Sequence, residues 1–336
     1  MSSWYQKVGK DSDVVLTSRI RLARNISGIN FPSRMNDEQR QILNDKVKQA
    51  LIGSNNTFAK SLKYIDMSNV PETEVYSMVE RHIISPQFAR NSSGKAIIIS
   101  DDETICIMIG EEDHLRIQVM DSGLDLQKTY DTAEMLDTFL CERLHFAFDE
   151  KLGYLTECPT NLGTGLRASV MLHLPLTEAS GEMSVIADSV RKIGFTVRGM
   201  YGEGSNSEAG IYQLSNQITL GISEKDALNN LTAITTQLVE RERELRNNCD
   251  KIKLEDRVYR AYGLLKNARI MSSNEMMKLV SMIKLGTSTG ILNIEPTVPT
   301  TIWIEAQPNM IMRKEGVMDS DERDIKRAEL IRNLLE

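Results

Sequence analysis

The stretch KAIIISDDETICIMIGEEDHLRIQVMD, residues 95–121, holds three apolar runs in close succession. The first two, 95–100 and 104–109, are joined by the turn-like Asp101-Asp102-Glu103. In the third, 114–121, apolar Leu115, Ile117 and Val119 alternate with polar neighbours. Short runs of this kind read as strands, and their succession as a meander with antiparallel pairing. Outward from it, helical periods predict helices over 36–51, with Asn36 as N-cap, over 71–83, and over 136–153, ending at Gly153. Residues 166–175 and 211–221 read as further strands. The fold class expected is α+β, an antiparallel sheet packed with helices.

From Ser223 the period becomes helical throughout. Ser223 and Asp226 come close to a capping box, and Leu228, Leu231, Ile234 and Leu238 recur at helical spacing over 223–248. Helices follow over 254–269 and 272–286, then a looser stretch with Pro296 and Pro299, then a closing helix over 319–336. The expected domains are residues 1–245 and a smaller helical domain over 246–336.

The chain has 336 residues, 41% hydrophobic and 26% charged, with a formal net charge of -7. That suits a soluble globular protein with a sizeable core. No apolar run approaches the ~20 residues of a membrane helix, and the polar start has no secretory h-region. Cys106, Cys141, Cys158 and Cys249 form no C-x-x-C pair, so neither a disulfide framework nor a zinc site is expected. A reducing cytoplasm is the simplest home. The acidic balance argues against direct nucleic-acid binding, though not against local basic patches.

One such patch is TSRIRLARN, residues 17–25. On a strand Arg19 and Arg21 share a face, with Ile20 and Leu22 on the other. Planar, permanently charged guanidinium groups suit phosphate or carboxylate; for isolated arginines, surface salt bridges are the simpler account. GEEDHLR, 110–116, gathers Glu111, Glu112 and Asp113 ahead of Arg116. Three adjacent carboxylates call for solvent, a metal or a cationic substrate. In TECPTNLGTGLRAS, 156–169, Gly163 and Gly165 could let backbone N–H groups approach an anion, with Arg167 close behind. G-K-[ST] is absent, so this is not a P-loop. Cys158 there is a reactive thiol or a buried filler. VRGMYGEGSNSEAG, 197–210, puts Arg198 before a glycine-rich loop, either a mobile surface loop or a lid over phosphates.

Taken in order and spacing, TSRIRLAR, GEEDHLR, CPTNLGTGLR and RGMYGEG resemble the catalytic domain of the phosphagen (guanidino) kinases over roughly residues 14–245. The resemblance implies a nucleotide site for ATP, with Mg²⁺ carried by the nucleotide and no metal held by the protein. Its residues would be Thr17, Ser18, Arg19, Ile20 and Arg21, then His82 and Arg116. They continue through Arg167, Ala168, Ser169, Val170 and Met171, and end with Arg198, Gly199, Met200, Tyr201, Gly202 and Glu203. It also implies Glu112 as the catalytic carboxylate, with Cys158 and Glu203 beside it in the pocket for the acceptor guanidinium.

Three features depart from the small-molecule enzymes. The first arginine motif begins at Thr17, leaving no room for the helical domain that helps enclose a small substrate there. GEGSNSEAG differs from the usual loop, and Met171 stands where a histidine is usual. With the helical C-terminal segment, the architecture resembles the bacterial protein-arginine kinases. That implies phosphorylation of arginine side chains in proteins, in stress response and protein quality control. Implied partners are a heat-shock repressor, a zinc-binding activator and a Clp-type unfoldase–protease, with a homodimer. RDIKRA, 323–328, resembles a regulatory motif for phosphoarginine, carried by Arg323, Asp324, Arg327 and Ala328; without the resemblance it would read as a solvated helix. The alternatives are a small-molecule guanidino kinase and a non-catalytic phosphoarginine-binding adaptor.

Overall fold

The computed structural model describes residues 2–54, 56, 58–199 and 209–336. In chain order the elements are β1 (Val15–Arg24), α1 (Asp37–Leu51), β2 (Leu62–Asp66), α2 (Glu72–Glu80), α3 (Pro86–Arg90), β3 (Ala96–Ser100), β4 (Ile105–Ile109) and β5 (Leu115–Ser122). There follow α4 (Leu126–Leu144), the ribbon strands β6 (Phe148–Asp149) and β7 (Gly153–Tyr154), β8 (Leu166–His173), α5 (Pro175–Ala179), α6 (Met183–Arg191), β9 (Phe195–Gly199) and β10 (Ile211–Asn216). The chain closes with α7 (Glu224–Asn248), α8 (Lys251–Asn267), α9 (Ser273–Ser288), α10 (Val298–Glu305), α11 (Pro308–Glu315) and α12 (Ser320–Leu334).

Among the described residues, eight strands form one sheet in the order β2-β3-β4-β5-β1-β8-β10-β9. The paired strands run antiparallel, as the meander over 95–121 requires. Period-two alternation divides the sheet into two faces. Ile20, Leu22, Ile117, Val119, Val170 and Leu214 point to one, into a core completed by α1, α4 and α7. Arg19 and Arg21 point to the other, which is covered in two places. Over β3 and β4, Ile97, Ile99, Cys106 and Met108 pack under α2 and α3. At the opposite corner Leu16, Met171 and Ile211 pack into a second core with α8, α9, α10 and α12. Between the two covers the face is open.

Two sequence expectations are corrected. The helix placed over 136–153 runs over Leu126–Leu144 instead. Its early turns bury Thr129 and Ala133, too weakly apolar to show a clear stripe. It ends at His145, in the left-handed conformation with φ 50°. Residues up to 154 then form the β6–β7 ribbon, where a Cβ on Gly153 would lie 2.4 Å from the Gly163 carbonyl oxygen. The looser stretch around Pro296 and Pro299 contains α10, and α11 follows; each carries proline in its first turn. Proline there lacks only an N–H that has no helical partner anyway. The boundary expected after residue 245 falls in the last turn of α7, which continues to Asn248.

Candidate active site

Strand register assembles the site. Across β1, Arg19 faces Met120 of β5 and Ser169 of β8, while Arg21 faces Gln118 and Arg167. Met108 faces Arg116, and Arg198 faces Gln213. One open face therefore carries Arg19, Arg21, Arg116, Arg167 and Arg198, which all line a cavity of about 960 Å³. Like charges placed directly opposite each other, as Arg21 and Arg167 are, destabilise a sheet. Burial, then the fields of Arg116 and Arg167, pull the Arg19 guanidinium down to about 10. Burial and three neighbouring arginines push Arg21 well below its ordinary value, and its buried Nε has no hydrogen-bond partner. A polyanion in the cavity would relieve each of these costs.

Arg19 is held differently from Arg24, which completes the sequence cluster. Arg24 makes a bidentate pair with Asp137 (2.8 and 2.9 Å) and lies over the Tyr154 ring. It belongs to the frame. Arg19, by contrast, is steadied by neutral partners, donating to Gln213 Oε1 at 2.7 Å and Ser169 Oγ at 3.3 Å, which leaves its charge unneutralised.

The acidic motif separates residue by residue. Gly110 turns the chain with φ 78°. Glu111 is buried, accepts from Ser85 Oγ and takes a two-point contact from Arg116 at 2.7 Å. Asp113 is buried too and accepts from Asn25 Nδ2, the Glu157 backbone N–H and Asn161 Nδ2. It thereby fixes the loop that carries Cys158. His114 is spent on the backbone, Nδ1 accepting from Ile26 N and Nε2 lying 2.6 Å from the Asn30 carbonyl. Glu112 alone of the three carboxylates stays open, its side chain 43% exposed against 5% for Glu111, and 3.6 Å from Arg116 Nη2. Repulsion among the three is thus resolved by giving two of them dedicated donors.

His82 also lines the cavity. Burial, then the field of Arg19, lowers it to about 3, so the imidazole is neutral at physiological pH, and its buried Nε2 has no partner. Gln118 holds this turn by donating to the carbonyls of His82 and Ile83, both at 2.9 Å. Gln118, Gln213 and Ser85 were not picked out from the sequence. The available signal was glutamine on the arginine parity of an otherwise apolar strand, as in Arg116-Ile117-Gln118.

Other expected residues separate by parity. Ser18, Ile20, Ala168 and Val170 turn their side chains away from the cavity; Ile20, Ala168 and Val170 sit in the main core, and Ser18 Oγ donates to the Gly123 carbonyl. Thr17 Oγ1 donates to Asp121 O. Met171 is on the cavity face but buried in the second core. Gly199 lines the cavity, and Met200, Tyr201, Gly202 and Glu203 lie outside the described residues. Cys158 Sγ is 3.1 Å from Thr160 Oγ1, and Cys158 is not one of the residues that line the cavity.

The glycine loop over 163–165 is not an anion cradle. Thr164 N–H donates to Thr219 O, and the Thr164 carbonyl accepts from Arg24. A Cβ on Gly163 would lie 2.3 Å from Thr219 O, and one on Gly165 2.6 Å from Arg24 Nη1. These glycines serve close packing. In the C-terminal motif the two arginines, Arg323 and Arg327, are placed differently. Arg327 is buried, 1% exposed, and donates to Ala306 O at 2.8 Å, to Met271 O at 2.7 Å and to Asp324. It faces the interior, so Arg323 and Arg327 do not present a joint two-guanidinium clamp.

Comparison with known proteins agrees with this geometry. Residues 42–245 match the family described as ATP:guanido phosphotransferase, C-terminal catalytic domain. Residues 251–336 match the protein-arginine kinase McsB C-terminal domain. The chain is 43% identical to the protein-arginine kinase of Halothermothrix orenii over 340 residues, covering 100% of this chain and 97% of that protein. It is 41% identical to the one from Clostridium acetobutylicum, covering 100% of each. Among solved structures, lombricine kinase is similar in fold at a TM-score of 0.62 and 23% identity, over 74% of each chain. The duplicated taurocyamine kinase of Schistosoma mansoni, with bound transition state analog components, gives 0.62 at 27% identity, over 75% of this chain and 38% of that one. The face of clustered arginines with one open glutamate, on this sheet and with this C-terminal helical domain, places the chain in the protein-arginine kinase family of ATP:guanido phosphotransferases.

Proposed function

We propose that the chain transfers the γ-phosphoryl group of ATP to a guanidinium nitrogen of arginine side chains in proteins. The observation that carries this is Glu112, an open carboxylate at the edge of a concentrated cationic face. A polyphosphate explains the arginines, and a cationic acceptor explains why a carboxylate stands beside them.

Guanidinium is protonated at neutral pH and has no free lone pair. Glu112 would orient the planar group and accept a proton from the attacking nitrogen. The N–P bond forms as the bond from γ-phosphorus to the β–γ bridging oxygen breaks, and ADP leaves with that electron pair. The five arginines would hold the phosphates in line and neutralise charge on the transferring group, which is most of what phosphoryl transfer asks of a protein. Among the described residues no group of three or more His, Cys, Asp or Glu could hold a metal ion; Mg²⁺ would ride on the phosphates and supply further charge neutralisation there.

Among the described residues no helix is long and apolar enough to cross a membrane. A cytoplasmic role in stress response and protein quality control belongs to the same proposal. So do a heat-shock repressor as substrate, a zinc-binding activator, a Clp-type unfoldase–protease and a homodimer, all supported by the sequence resemblance. The test is incubation with Mg·ATP and either free arginine or an unfolded protein. Acid-labile, arginine-linked phosphate on the protein is the expected result. Phosphate on free arginine alone would make this a small-molecule kinase, and none on either would make it a binding protein.

A further inference from the structure

The cavity is not walled by the catalytic sheet alone. Ser273, Asn274 and Met277 of α9 and Gln307 and Pro308 at the start of α11 line it as well. Their place along the site can be read from the strands. Thr17 and Ala23 are six residues apart on β1, about 20 Å at ~3.4 Å per residue. Arg116, facing Ala23, and Glu112 mark one end. Met171, facing Thr17, marks the other and is buried among the C-terminal helices. Arg19 and Arg21 of β1 lie between these ends, so the C-terminal wall lies at the end farther from Glu112. His82, with its unpartnered Nε2, is on that side, its ring against Trp4. Two residues before it, Glu80 accepts from the backbone N–H groups of Asn309 and Met310 (3.0 and 2.8 Å) and from Asn309 Nδ2 at 2.7 Å. This seats the start of α11 on the rim of the cavity.

The wall is tied from behind by one side chain. Arg327 of α12 donates to the carbonyls of Met271 and Ala306. Met271 directly precedes Ser272, the N-cap of α9, and Ala306 directly precedes Gln307. One buried guanidinium thus fixes the spacing between the two segments that reach the cavity.

We propose that these C-terminal segments close the nucleoside end of the site. Asn274, Met277 and Gln307 receive the base and ribose, and Arg327 is the positioning residue that sets the wall. The inference rests on the reading that the arginines bind the phosphates. A nucleotide bound this way spans the catalytic sheet and the helical domain together. Any event that moves α12 then changes nucleotide affinity before it changes chemistry.

The test compares two probes on the full chain by calorimetry, Mg·ATP and magnesium tripolyphosphate, which has the phosphates but no nucleoside. Asn274 is exposed in the first turn of α9, so Asn274→Trp fills the nucleoside end without cutting the core. We expect it to weaken ATP about tenfold or more, a loss of ~1.4 kcal/mol, with tripolyphosphate unchanged. Arg327→Gln should raise KM for ATP with kcat at saturating ATP nearly preserved, and Arg327→Lys, which keeps a donor, should recover part of the loss. Equal weakening of both probes by Asn274→Trp, or unchanged ATP affinity, overturns the proposal even if Arg327→Gln fails to fold. Arg21→Lys is the separate check on the phosphate reading and should weaken both probes together; if it weakens neither, that reading falls and this inference with it.

Discussion

Glu111 and Glu112 are the same side chain one residue apart, and neighbouring groups give them different work. Glu111 is enclosed by Ser85 and Arg116, while Glu112 faces the cavity with its side chain 43% exposed. Glu112→Gln keeps the shape but removes the proton acceptor, so turnover should fall about 10²–10⁴-fold with ATP affinity retained. Steady-state kinetics beside a binding titration check this. Glu111→Gln removes the anchor of Arg116, so KM for ATP should rise as well as kcat fall. A second residue-scale prediction concerns acid. Burial, then Arg19, holds His82 near 3, below its unfolded value near 6.5. The unfolded chain therefore binds more protons at low pH, and this contribution is intact above pH 6.5 and lost progressively as pH falls toward 3. Between pH 6.5 and 4.5, His82→Gln should show a shallower fall of thermal midpoint than the parent chain. An identical slope would mean that His82 titrates normally.

At the scale of elements, the strands carry the arginines, and turns and helix ends close the rim of the cavity around them. The Gly110–Arg116 turn, the His82 turn held by Gln118, and the first turns of α9 and α11 each bring a short segment to the cavity rim. Glu80 is the clearest joint. It satisfies two N–H groups at the start of α11 that have no helical acceptor. Glu80→Ala leaves them and the Asn309 side chain without that partner, and a cost of about 2–3 kcal/mol follows for bonds to a charged group. Chemical denaturation measures it, and Glu80→Gln, which keeps an acceptor oxygen, should cost less. A loss below ~0.5 kcal/mol for Glu80→Ala would show that solvent replaces the carboxylate at no cost.

For the whole molecule, the second core cannot close within the C-terminal helices. Leu16, Met171 and Ile211 of the sheet complete it, while Trp4, Tyr5 and Met120 pack on Ile304 of α10. Polar contacts cross the same junction, with Lys284 of α9 donating to the Ser12 carbonyl and Arg313 of α11 paired with Glu74 of α2. Ending the chain after Asn248 should therefore expose apolar surface on the catalytic part. We expect that fragment to bind a hydrophobic dye and to melt well below the full chain. A fragment as stable as the whole would mean that the junction contributes little.

The sequence by itself determined the antiparallel meander, the shared parity of Arg19 and Arg21, the start of α7 at Ser223 and the order of the functional motifs. Those are local matters, set by the strand and helix periods and by caps within a few residues. What belongs to the tertiary structure is which charges stay available. Arg24 shares a sequence cluster with Arg19 and Arg21, and Arg327 stands four residues from Arg323, but each is used up by partners far along the chain, Asp137 in one case and the Met271 and Ala306 carbonyls in the other. The role of the 163–165 glycines likewise depends on Thr219 and Arg24 lying against them. Only the packed chain divides three adjacent carboxylates into two fixed supports and one open carboxylate, because their partners come from Ser85, Asn25 and the 157–161 loop. Burial and hydrogen-bond satisfaction are properties of three-dimensional neighbours, and no short-range pattern encodes them.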